Sequence, residues 1–238
     1  MEQLRLLTFG GLNLLVNGQT TTGSATRRRR LALLALLAVA RDRGLNRDKV
    51  QAYLWPESDT ERARHGLSQL VYFQRRHLGS GELFLGKKTL RLNREVITAD
   101  VWEFEDALDA SAREAAVRLY AGPFLDGFFL RGAPVFDRWA DDQRNRFAQR
   151  CGQALGTLAA AASGSGDHPR ALEWCLRATE LDPLDTNIVL RLIEACLAVG
   201  DRTAAARYAQ RHSDLLQAEL GLLPDHRVIA MLSQLQGG

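Results

Sequence analysis

Thr60-Glu61-Arg62-Ala63-Arg64-His65-Gly66-Leu67-Ser68-Gln69-Leu70-Val71-Tyr72-Phe73-Gln74-Arg75-Arg76-His77-Leu78 carries the pattern from which the rest of the fold can be read. Turned at about 100° per residue, Ala63, Leu67, Leu70, Val71 and Leu78 fall on one side, an apolar stripe that needs other helices to cover it. The opposite side collects Arg62, His65, Gln69, Tyr72 and Arg76, flanked by Ser68 and Arg75, with Arg64 a further candidate. Ser58-Asp59-Thr60-Glu61 has the spacing of a capping box at its start, and Gly79 stops it.

Two shorter helices precede this one. The first runs from Arg27 to Arg43 and is stopped by Gly44; the second runs from Arg47 to Leu54, after an Asn46 cap and before Trp55-Pro56. Upstream, Leu4 to Phe9 and Leu12 to Val16 are rich in strand formers, broken by Gly10-Gly11 and closed by the turn pair Asn17-Gly18, which predicts a small antiparallel sheet. Downstream, Leu83 to Leu92 alternates around Gly86-Lys87-Lys88, a β-hairpin with a basic tip. Sheet, three helices and hairpin in that order predict a winged helix, an α+β unit whose third helix enters the DNA major groove while the hairpin touches phosphates.

Charge divides the chain in the same way. Residues 1–100 carry 17 Lys and Arg against 9 Asp and Glu, while the remainder carries 14 against 19, so a net +3 conceals halves of opposite sign. The first half has a polyanionic partner to answer for, and the second has none. With 46% apolar residues the chain can bury one large core or two modest ones, which excludes disordered and collagen-like classes. Cys151, Cys175 and Cys196 are odd in number and lack a CxxC pair, which fits a reducing cytoplasm and gives a zinc site no support. The apolar run Leu31 to Ala40 is half of the ~20 residues a membrane-spanning helix needs, so it is read as a core helix and no membrane partner is expected.

From Val101 onward strand signals vanish. Gly/Pro-punctuated residues 119–129 carry Phe124, Phe128 and Phe129, too much apolar area for a solvated loop, and are expected to pack between the domains or beneath the helices. Gly166-Asp167 with Ala171 recurs as Gly200-Asp201 with Ala205, offset by 34 residues. That is the tetratricopeptide period, with small residues where neighbouring helices come close. Ala171 to Pro183 reads as the second helix of one unit, and helices within Phe136 to Ser163 would supply the first. Glu103, Glu105, Asp106 and Asp109 sit at helical spacing and read as a solvated face.

Arg and Gln are the side chains that bind guanine and adenine edges bidentately, and Ser and Tyr suit phosphate or thymine contacts. A polar helix face is ordinarily just solvated. Here it carries no acid after Glu61 and precedes a Lys-Lys hairpin, which favours DNA. Lys87 and Lys88 read as a wing on backbone phosphates. Arg27, Arg28, Arg29 and Arg30 oppose the helix dipole at up to ~1 kcal/mol per charge, which suggests phosphate nearby. Catalysis finds no support: the five His have no HExxH spacing, no GxSxG exists, and neither Gly79-Ser80-Gly81 nor Ser163-Gly164-Ser165-Gly166 is a phosphate loop. No enzyme activity, cofactor or metal is expected.

Arg30-Leu31-Ala32-Leu33-Leu34-Ala35-Leu36-Leu37, Leu54-Trp55-Pro56, Glu61-Arg62-Ala63-Arg64-His65-Gly66-Leu67 and Arg75-Arg76-His77-Leu78-Gly79 resemble the OmpR-like winged helix of SARP-type bacterial transcriptional activators (Streptomyces antibiotic regulatory proteins). Leu119-Tyr120-Ala121-Gly122-Pro123-Phe124-Leu125, Leu181-Asp182-Pro183-Leu184 and Glu219-Leu220-Gly221-Leu222-Leu223-Pro224-Asp225 are similar to the bacterial transcriptional activator domain, a helical tetratricopeptide-like module. Two positions depart from the pattern: Gln74 stands at a core-facing position usually apolar in relatives, and Thr186 where many relatives have an acid. The resemblance implies double-stranded DNA as partner, self-association on direct repeats near promoters, and recruitment of RNA polymerase. The expected architecture is mainly α: a winged-helix domain over residues 1–108 and an all-α tetratricopeptide-like domain over residues 109–238. The competing function class is a protein-interaction adaptor, with the helical groove as its site and the winged helix as a docking module.

Overall fold

The computed structural model describes residues 3–20, 26–78 and 82–236, with the side chains of Thr26, Arg27, His77 and Gln236 outside that description. Gly79-Ser80-Gly81, and with it the helix stop expected at Gly79, therefore lies outside the described residues. The chain forms two compact units, Met1–Phe147 and Ala148–Gly238.

The first unit opens with β1 (Leu4–Leu7), β2 (Asn13–Val16) and β3 (Gln19–Thr20). α1 (Thr26–Ala40), a 3-10 turn (Arg41–Arg43), β4 (Leu45–Asn46), α2 (Arg47–Leu54) and α3 (Thr60–His77) follow. Then come β5 (Phe84–Leu85), β6 (Thr89–Leu92), β7 (Ile97–Ala99), α4 (Asp100–Asp109), α5 (Arg113–Leu119) and α6 (Pro134–Gly164). β1 pairs antiparallel with β2, and Asn17-Gly18 turns β2 into β3 with positive φ at both residues, the backbone such a two-residue turn requires. β7, too short for its alternation to be read, runs parallel to β1 and completes the order β3-β2-β1-β7. The hairpin gains β4 as a third strand beside β6.

The seven residues Ala32 to Ala38 are buried without interruption, so α1 is apolar all round and serves as the core post of the winged helix. Asn46 caps α2 by accepting from the Lys49 N–H. At α3 the capping box expected from Ser58 is corrected: Asp59 is the cap and accepts from the Arg62 N–H at 2.8 Å. The third helical position is thus Arg62, which cannot return the bond as a Glu would and instead pairs with the Asp59 carboxylate.

The aromatic loop belongs to the first unit. Phe124 is fully buried, 5.1 Å from the Phe147 ring and 6.4 Å from that of Phe9, and Phe9 also meets Phe104 and Tyr120. The Gly10 and Gly122 backbones come so close that a Cβ on Gly122 would stand 3.0 Å from the Gly10 Cα. Residue 108, the boundary expected from the change in composition, lies inside α4 and within this unit. Phe128 is buried, but Phe129 is exposed, contrary to the expectation for the loop. The solvated acidic face is corrected in part, since Asp106 and Asp109 are exposed as expected but Glu103 is half-buried and Glu105 buried. Glu105 is 7% exposed and held by Arg41 and Arg146, Glu103 pairs with Arg5, and Asp106 pairs with Arg41 and Arg94.

The second unit holds the end of α6, then α7 (His168–Leu181), α8 (Thr186–Ala198), α9 (Arg202–Leu220) and α10 (His226–Gln236). The 34-residue repeat has a mechanical cause. Gly166 and Gly200 both take positive φ and both end a helix in the same way: the glycine N–H bonds back to Ser163 or Leu197, and the next N–H to Ala162 or Cys196. Asp167 and Asp201 then cap α7 and α9 by accepting from Arg170 and Ala204. Ala171 and Ala205 are buried as expected. The helices expected within Phe136 to Ser163 are instead one continuous helix, which runs through Gly152 and Gly156 without a break and ends at Gly164.

Candidate nucleic-acid interface

α3 turns its apolar stripe inward, with Ala63, Leu67, Leu70 and Val71 buried, so the other face is presented outward by packing alone. Gly66 lets α2 and α3 come together: a Cβ there would stand 3.1 Å from the Trp55 indole. Gln74 faces the core at 3% exposure and donates from Nε2 to the Arg30 carbonyl at 2.9 Å, so a polar residue at this apolar position stitches α3 to α1.

Of the face itself, Arg62, Arg64, His65, Ser68, Gln69, Tyr72 and Arg76 are exposed. Two pairs of its side chains meet one turn apart, and a third side chain bonds back to the backbone. Gln69 and His65 meet at 2.9 Å, Arg76 donates to the Tyr72 hydroxyl at 3.3 Å, and the Ser68 hydroxyl donates to the Arg64 carbonyl at 2.9 Å. Arg75 leaves this set: half-buried, it donates from Nη2 to the Phe84 carbonyl at 2.9 Å and fastens β5 to α3.

Lys87 and Lys88 are exposed at the hairpin tip. Gly86 makes that tip possible, since with φ +86° a Cβ would fall 2.0 Å from the Thr89 carbonyl oxygen. Two basic residues of the same region escaped the sequence reading. Arg91 points outward from β6 between buried Leu90 and Leu92, a placement the alternation of Thr89 to Leu92 already encodes. Arg47 donates from Nε to the Lys87 carbonyl and from its backbone N–H to that of Lys88, a tertiary contact no local pattern announces.

In the arginine run at the start of α1, Arg28, Arg29 and Arg30 have contacts within the unit. Arg28 donates to the Phe129 carbonyl and lies over the Phe128 ring, Arg29 bonds the Leu54 carbonyl and lies over Trp55, and Arg30 lies over Phe73. The Arg27 side chain is outside the described residues. These contacts give the run a structural role beside any phosphate contact. Among the described residues no group of His, Cys, Asp and Glu has the arrangement to hold a metal ion, and no helix is long and apolar enough to cross a membrane.

Residues 91–236, more than half of the chain, match the family model described as the bacterial transcriptional activator domain. The chain belongs to this family. It is a transcriptional regulator of the SARP type. The regulator's fold is similar to that of Mycobacterium tuberculosis EmbR, solved in complex with a low-affinity phosphopeptide, with a TM-score of 0.67 at 21% identity. That match covers all of this regulator and 66% of the EmbR chain, so the regulator spans just under two thirds of its structural neighbour. No curated protein matches it.

In the second unit the other departure from the family pattern finds its partner. Thr186 meets the Nε2 of His212 at 3.1 Å, and the opposite ring nitrogen lies 3.0 Å from the Pro183 carbonyl. His212 is 2% exposed and both its nitrogens are engaged, so it works as a brace between α9 and the start of α8. The Cys151 and Cys175 thiols are pushed up to about 11 by burial, which leaves them protonated and unreactive at neutral pH.

Proposed function

We propose that the regulator binds double-stranded DNA sequence-specifically and activates transcription from promoter-proximal direct repeats, by recruiting RNA polymerase. In this reading residues 1–108 hold the DNA-reading elements. Arg62, Arg64, His65, Ser68, Gln69, Tyr72 and Arg76 face the major groove, Arg75 holds the hairpin to α3, and Lys87 with Lys88 grips phosphates, as Arg27 to Arg30 do upstream. Residues 109–238 arrange neighbouring copies and receive the polymerase. The protein acts in the cytoplasm, without cofactor or catalysis. One observation carries the reading: an exposed basic and amide-bearing helix face, free of acid after Glu61, supported by a hairpin with two exposed lysines.

A gel shift with genomic fragments at moderate salt tests it. Retardation of a subset of fragments that survives competitor DNA is the expected result, and equal retardation of all fragments, or of none, overturns it. Titrating one-repeat against two-repeat duplexes then tests self-association on DNA, which requires tighter, cooperative occupancy of the second.

The adaptor reading has one observation in its favour. A cleft of about 360 Å³ opens among α7, α8 and α9, with Leu176, Val189 and Leu192 as apolar lining and Tyr208, Arg211 and His212 beside them. A full chain that captures a protein partner but never a DNA fragment favours that alternative.

A further inference from the structure

We infer that His65 sets the base preference of Gln69, so that the pair reads adenine in the major groove. The inference rests on α3 being the helix that reads bases. Gln69 Nε2 and His65 Nε2 stand 2.9 Å apart, one turn from each other on the exposed face. An amide nitrogen only donates, so in this contact the imidazole nitrogen accepts, and the ring proton sits on Nδ1. One N–H of the Gln69 amide is thereby taken.

What remains outward is the second N–H and Oε1, a donor beside an acceptor. Adenine offers the complement, N7 as acceptor and the N6 amino group as donor, whereas guanine offers two acceptors, N7 and O6. Against guanine the Gln69 oxygen would face O6 with no proton between them. Turned the other way, the amide would present two donors and favour guanine. His65 thus decides the choice by which end of the amide it holds. Holding the amide before DNA arrives also lowers the ordering cost of the contact. Neither side chain has another hydrogen-bond partner among the described residues, and their neighbours are engaged elsewhere, Ser68 with Arg64 and Arg76 with Tyr72. His65 is therefore a positioning residue for Gln69.

The test is selection of bound sequences from randomised duplexes by the full chain and four variants. Gln69→Ala locates the base pair concerned as the one whose preference it abolishes, and the wild type is expected to select adenine there. His65→Ala should lower the adenine-to-guanine ratio at that position by about 5-fold or more, the low end of what a bidentate base contact discriminates. His65→Gln, which keeps an acceptor within reach, should retain the ratio. His65→Lys, which can only donate, should capture Oε1 and move the preference toward guanine. The unfolding midpoint and salt slope of His65→Ala should match the wild type. An unchanged ratio in His65→Ala, or a base other than adenine at the Gln69 position, overturns the inference while leaving the DNA-binding reading intact. A wild type that recovers no motif at all removes both.

Discussion

Arg47 Nε donates to the Lys87 carbonyl oxygen across 2.9 Å, and this bond holds the hairpin tip against the first turn of α2. Substituting Arg47 by Ala is expected to weaken binding to every duplex and leave base preference unchanged, because it loosens the lysines without touching α3. Lys87→Ala with Lys88→Ala should flatten the log–log salt dependence by about 0.9 for each phosphate no longer neutralised. Adding Arg47→Ala to that pair should then cost little more. Fully additive effects would show that Arg47 does not act through the tip.

Gln69→Ala and Arg76→Ala should each weaken specific binding and relax discrimination at one position by ~1–3 kcal/mol. Both lie on the exposed face and away from the core, so thermal unfolding should be unaffected. Footprints identical to the wild type in both variants would remove α3 from the interface.

Asp100 is buried and accepts from the Thr8 N–H and hydroxyl, the Phe9 N–H and the Val101 N–H, pinning β1 to the start of α4. Asp100→Ala leaves those donors unmet inside the fold, at roughly 1–3 kcal/mol for each unsatisfied group. Burial pushes the Asp100 carboxyl above its ordinary range, and the bonds it accepts offset this only in part. Its folded-state value thus lies above the unfolded one, so its titration contributes stability below the unfolded value that is lost as pH rises through the folded value. The gap between wild type and Asp100→Ala should therefore narrow from acid toward neutral pH in chemical denaturation. Parallel curves would contradict the raised value.

Truncation after residue 108 should yield a fragment that exposes apolar surface and aggregates, because it strips Tyr120, Phe124 and Phe147 from around Phe9. In the full chain, Phe124→Ala should cost ~3–5 kcal/mol, as deletion of a wholly buried aromatic does. A monomeric, cooperatively unfolding fragment of residues 1–108 would show that this aromatic cluster is dispensable to the winged helix.

Several of the helix caps and stops, though not the cap of α3 or the length of α6, follow from the order of residues alone. Asn46, Asp167 and Asp201 cap through their own side chains, Gly44, Gly166 and Gly200 stop through backbone freedom, and the apolar stripe of Thr60 to Leu78 names its buried side. All of these act within a few residues, so a local reading reaches them. The exposed face of α3 was legible for the same reason, as the complement of that stripe. Where charge and aromatic rings are spent, by contrast, is set by long-range packing. Glu105 reads as one more solvated acid until Arg41 and Arg146 are brought to it. Arg75 reads as a DNA contact until the Phe84 carbonyl claims it. Arg28, Arg29 and Arg30 read only as phosphate contacts until the backbone and rings of distant segments meet them. Each of these fates depends on a partner between 9 and 101 residues away in the chain, at a range where local periodicity carries no information.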